Sequence, residues 1–201
     1  SGDNRMTRQA IRQRKTKETD IALTLDIDGT GLVEVETGLP FFDHMLAQLA
    51  KHARFDLTVR CEGDLEIDSH HTVEDVGIAL GEALREALGS KAGVKRFSSI
   101  SVPLDEAAVE VILDLSGRPF LLYDVMPPGE KILGDPPFDP QLCEEFWRAL
   151  VMASGVTLHI IMLRGRNTHH IIEASFKAVA RAFNDAAKLV DDVVPSTKGI
   201  L

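Results

Sequence analysis

The feature that most constrains the fold of this chain is an internal repeat. The segment from Asp43 to Ala50 aligns with the segment from Glu144 to Val151. Their apolar positions coincide at 45/146, 46/147, 49/150 and 50/151. Further along, Phe55–Val59 aligns with Val156–Ile160, and both alternate apolar and polar residues as strands do. The chain is therefore interpreted as one ancestral unit that was duplicated.

Each copy of the repeat continues into the same motif, His-His-x-x-Glu, at residues 70–74 and 169–173. Residues i and i+4 share one face of a helix, so His70 is expected to stand over Glu74 and His169 over Glu173. The second histidine of each motif points about 100° further around the helix axis. A short polar residue precedes each motif and is a candidate helix cap, Asp68 or Ser69 in the first copy and Asn167 or Thr168 in the second.

These motifs indicate a metal site. A single His-His pair is most often a surface dipeptide, but two copies at the same place in a repeat favour ligands, since neutral imidazole is a common metal ligand. In the repeat register His44 aligns with Glu145. The candidate ligands are His44, His70, His71, Glu74, Glu145, His169, His170 and Glu173. Eight nitrogen and oxygen donors without thiolates suit two ions such as Mn²⁺ or Fe²⁺ better than structural zinc.

The periodicity predicts an α+β fold with an internal duplication of a ββαβα unit, in which two sheets are each covered by helices and the halves pack together. The first half spans residues 1–92 and the second 93–201. In the first half we expect strands over 18–27 and 32–37 joined by a hairpin turn at 28–31, a helix over 40–53, a strand over 56–61 and a helix from the first motif to 88. In the second half we expect strands over 99–104 and 108–115, an extended segment over 120–125, a loop over 126–140, a helix over 141–153, a strand over 157–163, a helix over 168–189 and a C-terminal loop.

Composition excludes several classes of function. The net charge of −9 argues against a general nucleic-acid binder, although Arg5 to Lys17 is a basic cluster that we interpret as a solvated arm or a first strand. The sequence contains no run of about 18 apolar residues, so no membrane span is predicted. The start of the chain lacks the apolar core of a secretory signal. Cys61 and Cys143 match no metal or redox spacing, which favours a reduced, cytoplasmic compartment.

Six segments together resemble the imidazoleglycerol-phosphate dehydratase family over nearly the whole chain. They are Arg14-Lys-Thr-Lys-Glu-Thr19, Leu39-Pro-Phe-Phe-Asp-His-Met-Leu46, Asp68-Ser-His-His-Thr-Val-Glu-Asp75, Gly117-Arg-Pro119, Gly165-Arg-Asn-Thr-His-His-Ile-Ile-Glu-Ala174 and Pro195-Ser-Thr-Lys-Gly199. The resemblance implies a hydro-lyase of histidine biosynthesis that dehydrates D-erythro-imidazole glycerol phosphate to imidazole acetol phosphate. It also implies two Mn²⁺ per active site, with the substrate imidazole bound to them as imidazolate.

The resemblance further assigns the ligands and the catalytic residues. It gives one Mn²⁺ to His44, His71, His169 and Glu173, and the other to His70, Glu74, Glu145 and His170. Some relatives have histidine at the position of Glu145, so this ligand changes the charge of its site. Glu18 matches a family glutamate near the reacting carbons and is expected to transfer the proton, with the ligands His44, His71 and Glu173 also counted as catalytic.

The resemblance implies the remaining contacts of the substrate and the assembly. The substrate, mainly through its phosphate, is expected to contact Glu18, Gln48, His52, Arg96, Arg118, Lys177, Ser196, Thr197 and Lys198. His52 lies eight residues after His44 and Lys177 four after Glu173, so helical spacing places both near their ligands. The family assembles as homo-oligomers of 24 subunits built from trimers, with active sites at subunit contacts.

Two other functions remain open on the residues alone. A dinuclear metal phosphoesterase would release phosphate from generic esters and would need no imidazole ring in its substrate. A non-catalytic metal-storage shell would keep its metal content after loss of Glu18, Arg96 or Lys198.

Overall fold

The computed structural model describes residues 7–129 and 133–201, which form two similar units. The first unit contains β1 (Gln9–Lys15), β2 (Thr19–Asp26), β3 (Val33–Glu36), α1 (Pro40–Ala53), β4 (Asp56–Gly63) and α2 (His70–Leu88). The second contains β5 (Phe97–Leu104), β6 (Ala107–Asp114), β7 (Phe120–Asp124), α3 (Leu142–Ser154), β8 (Thr157–Arg164) and α4 (Thr168–Ala186). The duplicated α+β architecture is thus confirmed, and each unit has three strands before its first helix.

Each unit builds its own four-stranded sheet. The strand orders are β1-β2-β4-β3 and β5-β6-β8-β7, so corresponding strands occupy corresponding places. Ile21, Leu23 and Leu25 alternate along β2, and all three are buried beneath the helices, as the alternation of the sequence predicts. Helices cover one face of each sheet and pack together in the middle of the molecule. In the described part of the chain, every helix is too short or too polar to cross a membrane.

The predicted hairpin at residues 28–31 is wrong. The strand that follows it, β3, does not return along β2 but pairs in parallel with β4. The cause is Asp56 at the start of β4, whose Oδ1 accepts hydrogen bonds from the backbone N–H groups of Thr30, Gly31 and Leu32 at 2.9–3.1 Å. This carboxylate holds the turn against the far strand, so β3 takes a place on the other side of β4.

Other boundaries differ from the predictions by a few residues. The basic segment does form a strand, β1, over its described part, whereas Arg5 lies outside the described residues. Helix α4 ends at Ala186 rather than near residue 189, because Leu189 forms a bridge with Val94. The 126–140 segment is mostly turns in its described part, and residues 130–132 lie outside it. Phe138 is nonetheless buried, 1 % exposed, against two phenylalanines of α1.

The helices pair across the two units. Helix α1 packs against α4, and α2 packs against α3. The second contact is close because Gly77 and Gly81, one helical turn apart, face α3: a Cβ on Gly81 would lie 2.5 Å from the carbonyl oxygen of Leu150 and 2.7 Å from the Cβ of Ala153. The absence of these two side chains lets the α3 backbone approach α2, which brings the motif at the start of α2 near the start of α3.

We therefore expect Gly81→Ala to destabilise the protein. Alanine is the better helix former by about 1 kcal/mol, but overpacking against a backbone carbonyl that cannot rotate away costs about 1–3 kcal/mol. Because both contacts are shorter than 3.0 Å, we expect a cost in the upper part of that range, about 2–3 kcal/mol. The net loss is then about 1–2 kcal/mol, measured as a lower urea midpoint of metal-free protein. Gly77→Ala is the graded control, since its Cβ would meet Ala149 Cβ and Phe146 O at 2.9 Å and should cost less. A Gly81→Ala variant as stable as the parent would show that the helices are not in close contact.

Candidate functional site

Three of the predicted ligands meet where α1 packs on α4. Glu173 is only 8 % exposed, and its Oε1 lies 2.6 Å from His44 Nε2 and 3.5 Å from His169 Nε2. Its other oxygen accepts a hydrogen bond of 3.1 Å from Lys177 Nζ. One ligand atom from each of His44, His169 and Glu173 lies within 4.8 Å of the others. We call these three residues the first cluster.

A second group lies at the corresponding place where α2 packs on α3. His70 Nε2 is 3.1 Å from Glu74 Oε2, which confirms the predicted stacking of residues i and i+4. Glu145, from the first turns of α3, lines the same surface cavity as His70. His70, Glu74 and Glu145 are the second group, and they correspond in the repeat to His169, Glu173 and His44 of the first cluster.

The sequence offered two candidate capping residues at the start of each motif helix, α2 and α4, and the structure distinguishes between them. Asp68 Oδ1 accepts a hydrogen bond from the backbone N–H of His70 at 2.8 Å. Asn167 Oδ1 does the same for His170 at 3.0 Å. Ser69 makes no side-chain cap, and Thr168 is the first residue of its helix. These two hydrogen bonds hold the first turn of each helix, from which the histidines project.

The second histidine of each motif turns away from the ligands of its own helix. His71 Nδ1 lies 2.7 Å from Asp64 Oδ2 and 3.6 Å from Glu18 Oε2. His170 Nδ1 makes a short contact with Glu106 Oε1. Within residues 7–129 and 133–201, neither histidine belongs to the first cluster. The chain thus brings together three of the four residues assigned to one ion. Of those assigned to the other, it places His70 against Glu74 and puts Glu145 on the same cavity. His71 and His170 lie elsewhere.

The electrostatics of the site follow from these contacts. Burial alone would raise the pKa of Glu173, but the hydrogen bond from Lys177 and the contact with His44 outweigh it, and the pKa is lowered. The hydrogen bond to Asp64 raises the pKa of His71. Backbone N–H groups of Arg166 and Asn167, together with His170, lower the pKa of Glu106 to about 2. The carboxylates of Glu173 and Glu106 are therefore held in the ionised form.

Polar residues assigned to the substrate form one group next to the first cluster. His52 Nε2 lies 3.2 Å from Gln48 Oε1, one turn earlier on α1. Burial, with the positive charges of Lys177 and Arg181, lowers the pKa of His52, which places this imidazole beside the cations of α4. Arg181 was not among the predicted residues, although it continues the spacing of four from Glu173 through Lys177.

The other substrate-binding candidates form a separate group at the C-terminal segment. Arg96, Arg118, Ser196, Thr197 and Lys198 line one surface cavity together with Pro195. Arg96 is held by Asp114, with Nε to Oδ1 at 2.7 Å, and its Nη1 donates to the carbonyl oxygen of Pro195 at 2.7 Å. This arrangement fixes the segment beside two guanidinium groups, which is a suitable environment for an anion.

The arrangement suits divalent metal ions and an anionic substrate. The first cluster offers two imidazoles and one carboxylate around a common point, a donor set typical of Mn²⁺, Fe²⁺ or Zn²⁺. Asp64 and Glu106 were missed by the sequence interpretation. The repeat itself could have found Glu106, because Glu18 and Glu106 each immediately precede the second strand of their unit.

Comparisons with known proteins agree on one family. The model of the family described as imidazoleglycerol-phosphate dehydratase matches residues 37–183. Proteins named imidazoleglycerol-phosphate dehydratase from Cereibacter sphaeroides and Symbiobacterium thermophilum are 53 % and 56 % identical to this chain, over 96 % and 94 % of it and 100 % and 90 % of their own lengths.

Solved structures of the same enzyme are similar as well. The crystal structure from Staphylococcus aureus has a TM-score of 0.79 at 36 % identity and covers 89 % of this chain and 97 % of its own. The structure from Pyrococcus furiosus, in complex with (S)-C348, has a TM-score of 0.81 at 38 % identity and covers 94 % of this chain and 100 % of its own.

Proposed function

This chain belongs to the imidazoleglycerol-phosphate dehydratase family, and from that premise we propose that it dehydrates D-erythro-imidazole glycerol phosphate to imidazole acetol phosphate in histidine biosynthesis. The matched region contains both His-His-x-x-Glu motifs. Cys61 and Cys143 are both buried and free, which supports a reduced, cytoplasmic setting.

The observation that carries this proposal is the first cluster. Its three donors come from two helices of different units and converge on one point, although they are far apart in sequence. Nitrogen and oxygen donors without a thiolate suit Mn²⁺. We assign one Mn²⁺ to the first cluster and the other to His70, Glu74 and Glu145. When bound, the two ions would supply Lewis acidity that favours the imidazolate form of the substrate ring.

We further propose that a second copy of the chain completes each site. His71 and His170 turn away from the ligands of their own helices, and each ring remains about a third exposed. A ring exposed in this way can reach a cluster on a neighbouring chain. This supports active sites at subunit contacts. We propose the assembly of 24 subunits built from trimers from the family resemblance.

The remaining steps fall to residues of this chain. Glu18 is half-exposed in the turn between β1 and β2, and its Oε2 lies 3.6 Å from His71 Nδ1, so it is free to move a proton beside the ligands. We assign proton transfer at the reacting carbons to its carboxylate. The group of Gln48, His52 and Lys177 and the group at the C-terminal segment are assigned to the phosphate and hydroxyl groups of the substrate.

The test is turnover of imidazole glycerol phosphate by metal-stripped protein, before and after addition of Mn²⁺. We expect the acetol product only with the metal. Release of inorganic phosphate from this substrate and from generic phosphate esters would instead indicate the phosphoesterase. Two ions bound per chain with no product after addition of Mn²⁺, Fe²⁺ or Zn²⁺ would indicate a storage protein.

A further inference from the structure

Two carboxylates contact the second histidines of the two motifs in the same way. Asp64 Oδ2 lies 2.7 Å from His71 Nδ1, and Glu106 Oε1 is in hydrogen-bond contact with His170 Nδ1. An ionised carboxylate can only accept hydrogen bonds, so the ring nitrogen that faces it must carry the hydrogen. In the neutral ring the lone pair then lies on Nε2, the atom on the opposite side.

Glu106 is itself held rigidly. Its Oε2 accepts hydrogen bonds from the backbone N–H groups of Arg166 at 2.6 Å and Asn167 at 3.1 Å. These two residues lead directly into α4, whose cap is Asn167. One side chain therefore joins the β5–β6 turn, the entry to α4 and the ring of His170, and the orientation of the ring follows from the backbone.

Asp64 is held by different contacts. Its side chain is 12 % exposed, and within the described part of the chain its Oδ1 is buried without a hydrogen-bond partner. Its backbone N–H donates to the carbonyl oxygen of Glu18 at 3.0 Å, and its own carbonyl accepts from Ile67. Burying a carboxylate oxygen without a hydrogen bond is costly, so the one polar contact of this side chain carries weight. The partner is His71.

The two units provide this carboxylate from different places in the repeat. Strands β4 and β8 are both eight residues long, and the residue that follows is Asp64 in the first unit and Gly165 in the second. Glu106 occupies the repeat position of Glu18. The second unit lacks a carboxylate after its strand, and the glutamate of the turn contacts the histidine instead. In the first unit Asp64 makes that contact, so Glu18 stays half-exposed.

We propose that Asp64 and Glu106 are positioning residues that fix His71 and His170 as Nδ1–H tautomers, which leaves the Nε2 lone pair of each ring to bind a metal ion. Asp105 Oδ2 lies 3.8 Å from His170 Nε2, too far to form a hydrogen bond with it. The proposal rests on the function proposed above, since it gives these histidines to the metal site. Outer carboxylates of this kind commonly orient ligating histidines, and their loss costs about 10- to 100-fold in metal affinity. Neither Asp64 nor Glu106 faces a residue of the first cluster. Any effect of these two carboxylates on metal affinity must therefore pass through the rings of His71 and His170.

The test uses metal-free protein with ¹⁵N-labelled histidine. Because the hydrogen bond to Asp64 raises the pKa of His71 above the ordinary value of about 6.5, the ¹⁵N shifts are first followed with pH, and tautomers are compared where both rings have become neutral. We expect His71 and His170 to give the ¹⁵N shifts of the Nδ1–H tautomer. Asp64→Ala should convert His71 alone to a mixture of tautomers and weaken one Mn²⁺ site about 10- to 100-fold by calorimetry. Glu106→Ala should do the same for His170 and the other site. Glu106→Gln, which keeps a carbonyl acceptor, should recover part of the tautomer and of the affinity.

The matched control is Glu66→Ala, at an exposed glutamate two residues after Asp64. This variant should change neither the histidine tautomers nor the Mn²⁺ affinities. If Glu106→Ala does not fold because the entry to α4 is lost, Asp64→Ala tests the same idea in the other unit. Unchanged tautomers and Mn²⁺ affinities in the folded alanine variants would overturn the proposal. If the parent shows the expected tautomers yet makes no acetol product with Mn²⁺, the orientation stands and the proposed function fails.

Discussion

Glu173→Gln is expected to abolish metal binding at the first cluster and, with it, dehydration. Glu173 is the only carboxylate of that cluster, and a single oxygen faces both His44 and His169. An amide removes the negative charge that the ion needs, and it leaves Lys177 without its anionic partner. Since loss of an outer-shell partner already costs about 10- to 100-fold in affinity, loss of this ligand should cost at least about 100-fold. Calorimetric titration with Mn²⁺ should show one ion per chain rather than two.

The control for this variant is Glu62→Gln, which removes the same charge from a side chain that is 75 % exposed on β4. That variant should bind two ions with the affinity of the parent. A Glu173→Gln protein that still bound two ions with parental affinity would exclude the first cluster as a metal site, whatever its activity.

Glu18→Gln is expected to reduce kcat for dehydration by about 10³-fold while both ions stay bound, since a positioned acid or base contributes about 10²- to 10⁴-fold. The separation of the two effects has a structural reason. Asp64, rather than Glu18, makes the close contact with His71, at 2.7 Å against 3.6 Å, so the amide should not release the ring. The measurement is single-turnover formation of the acetol product, alongside the metal content of the same sample.

Either of two results would remove Glu18 from its assigned step. Activity within a few-fold of the parent would mean that another group moves the proton. Loss of metal would mean that Glu18 belongs to the ligand set. A metal-storage shell would form no acetol product before or after the substitution, and its metal content would not change. This variant therefore also distinguishes the enzyme from the storage shell.

Local patterns in the sequence predicted most of the fold. The bounds of α1 and the start of α2 follow from the proline at residue 40 and from helical periodicity, both of which act within a few residues. The partner of β3 could not be predicted in this way. It depends on the carboxylate of Asp56, more than twenty residues beyond the turn that it holds, and a turn signal carries no information about a distant acceptor.

In the candidate site, too, contacts within one helix could be predicted from the sequence, and contacts between distant elements could not. The stacking of His70 on Glu74 is a property of one helix and was predicted correctly. The meeting of His44 with Glu173 depends on which helices pack together, and the amphipathic pattern of a helix does not name its partner. The contacts of Asp64 and Glu106 depend on loops whose paths are set by the assembled sheets, and they were missed for that reason.

The pairing of α1 with α4 has a consequence for the origin of the protein. One residue of the first cluster comes from the first copy of the repeat and two from the second. A forebear with a single copy could have built this cluster only between two identical molecules, and both clusters of that pair would have been alike. Fusion into one chain freed the two copies to diverge. The counterpart of His44 is now Glu145, so the two proposed ion sites need no longer have the same charge or the same affinity.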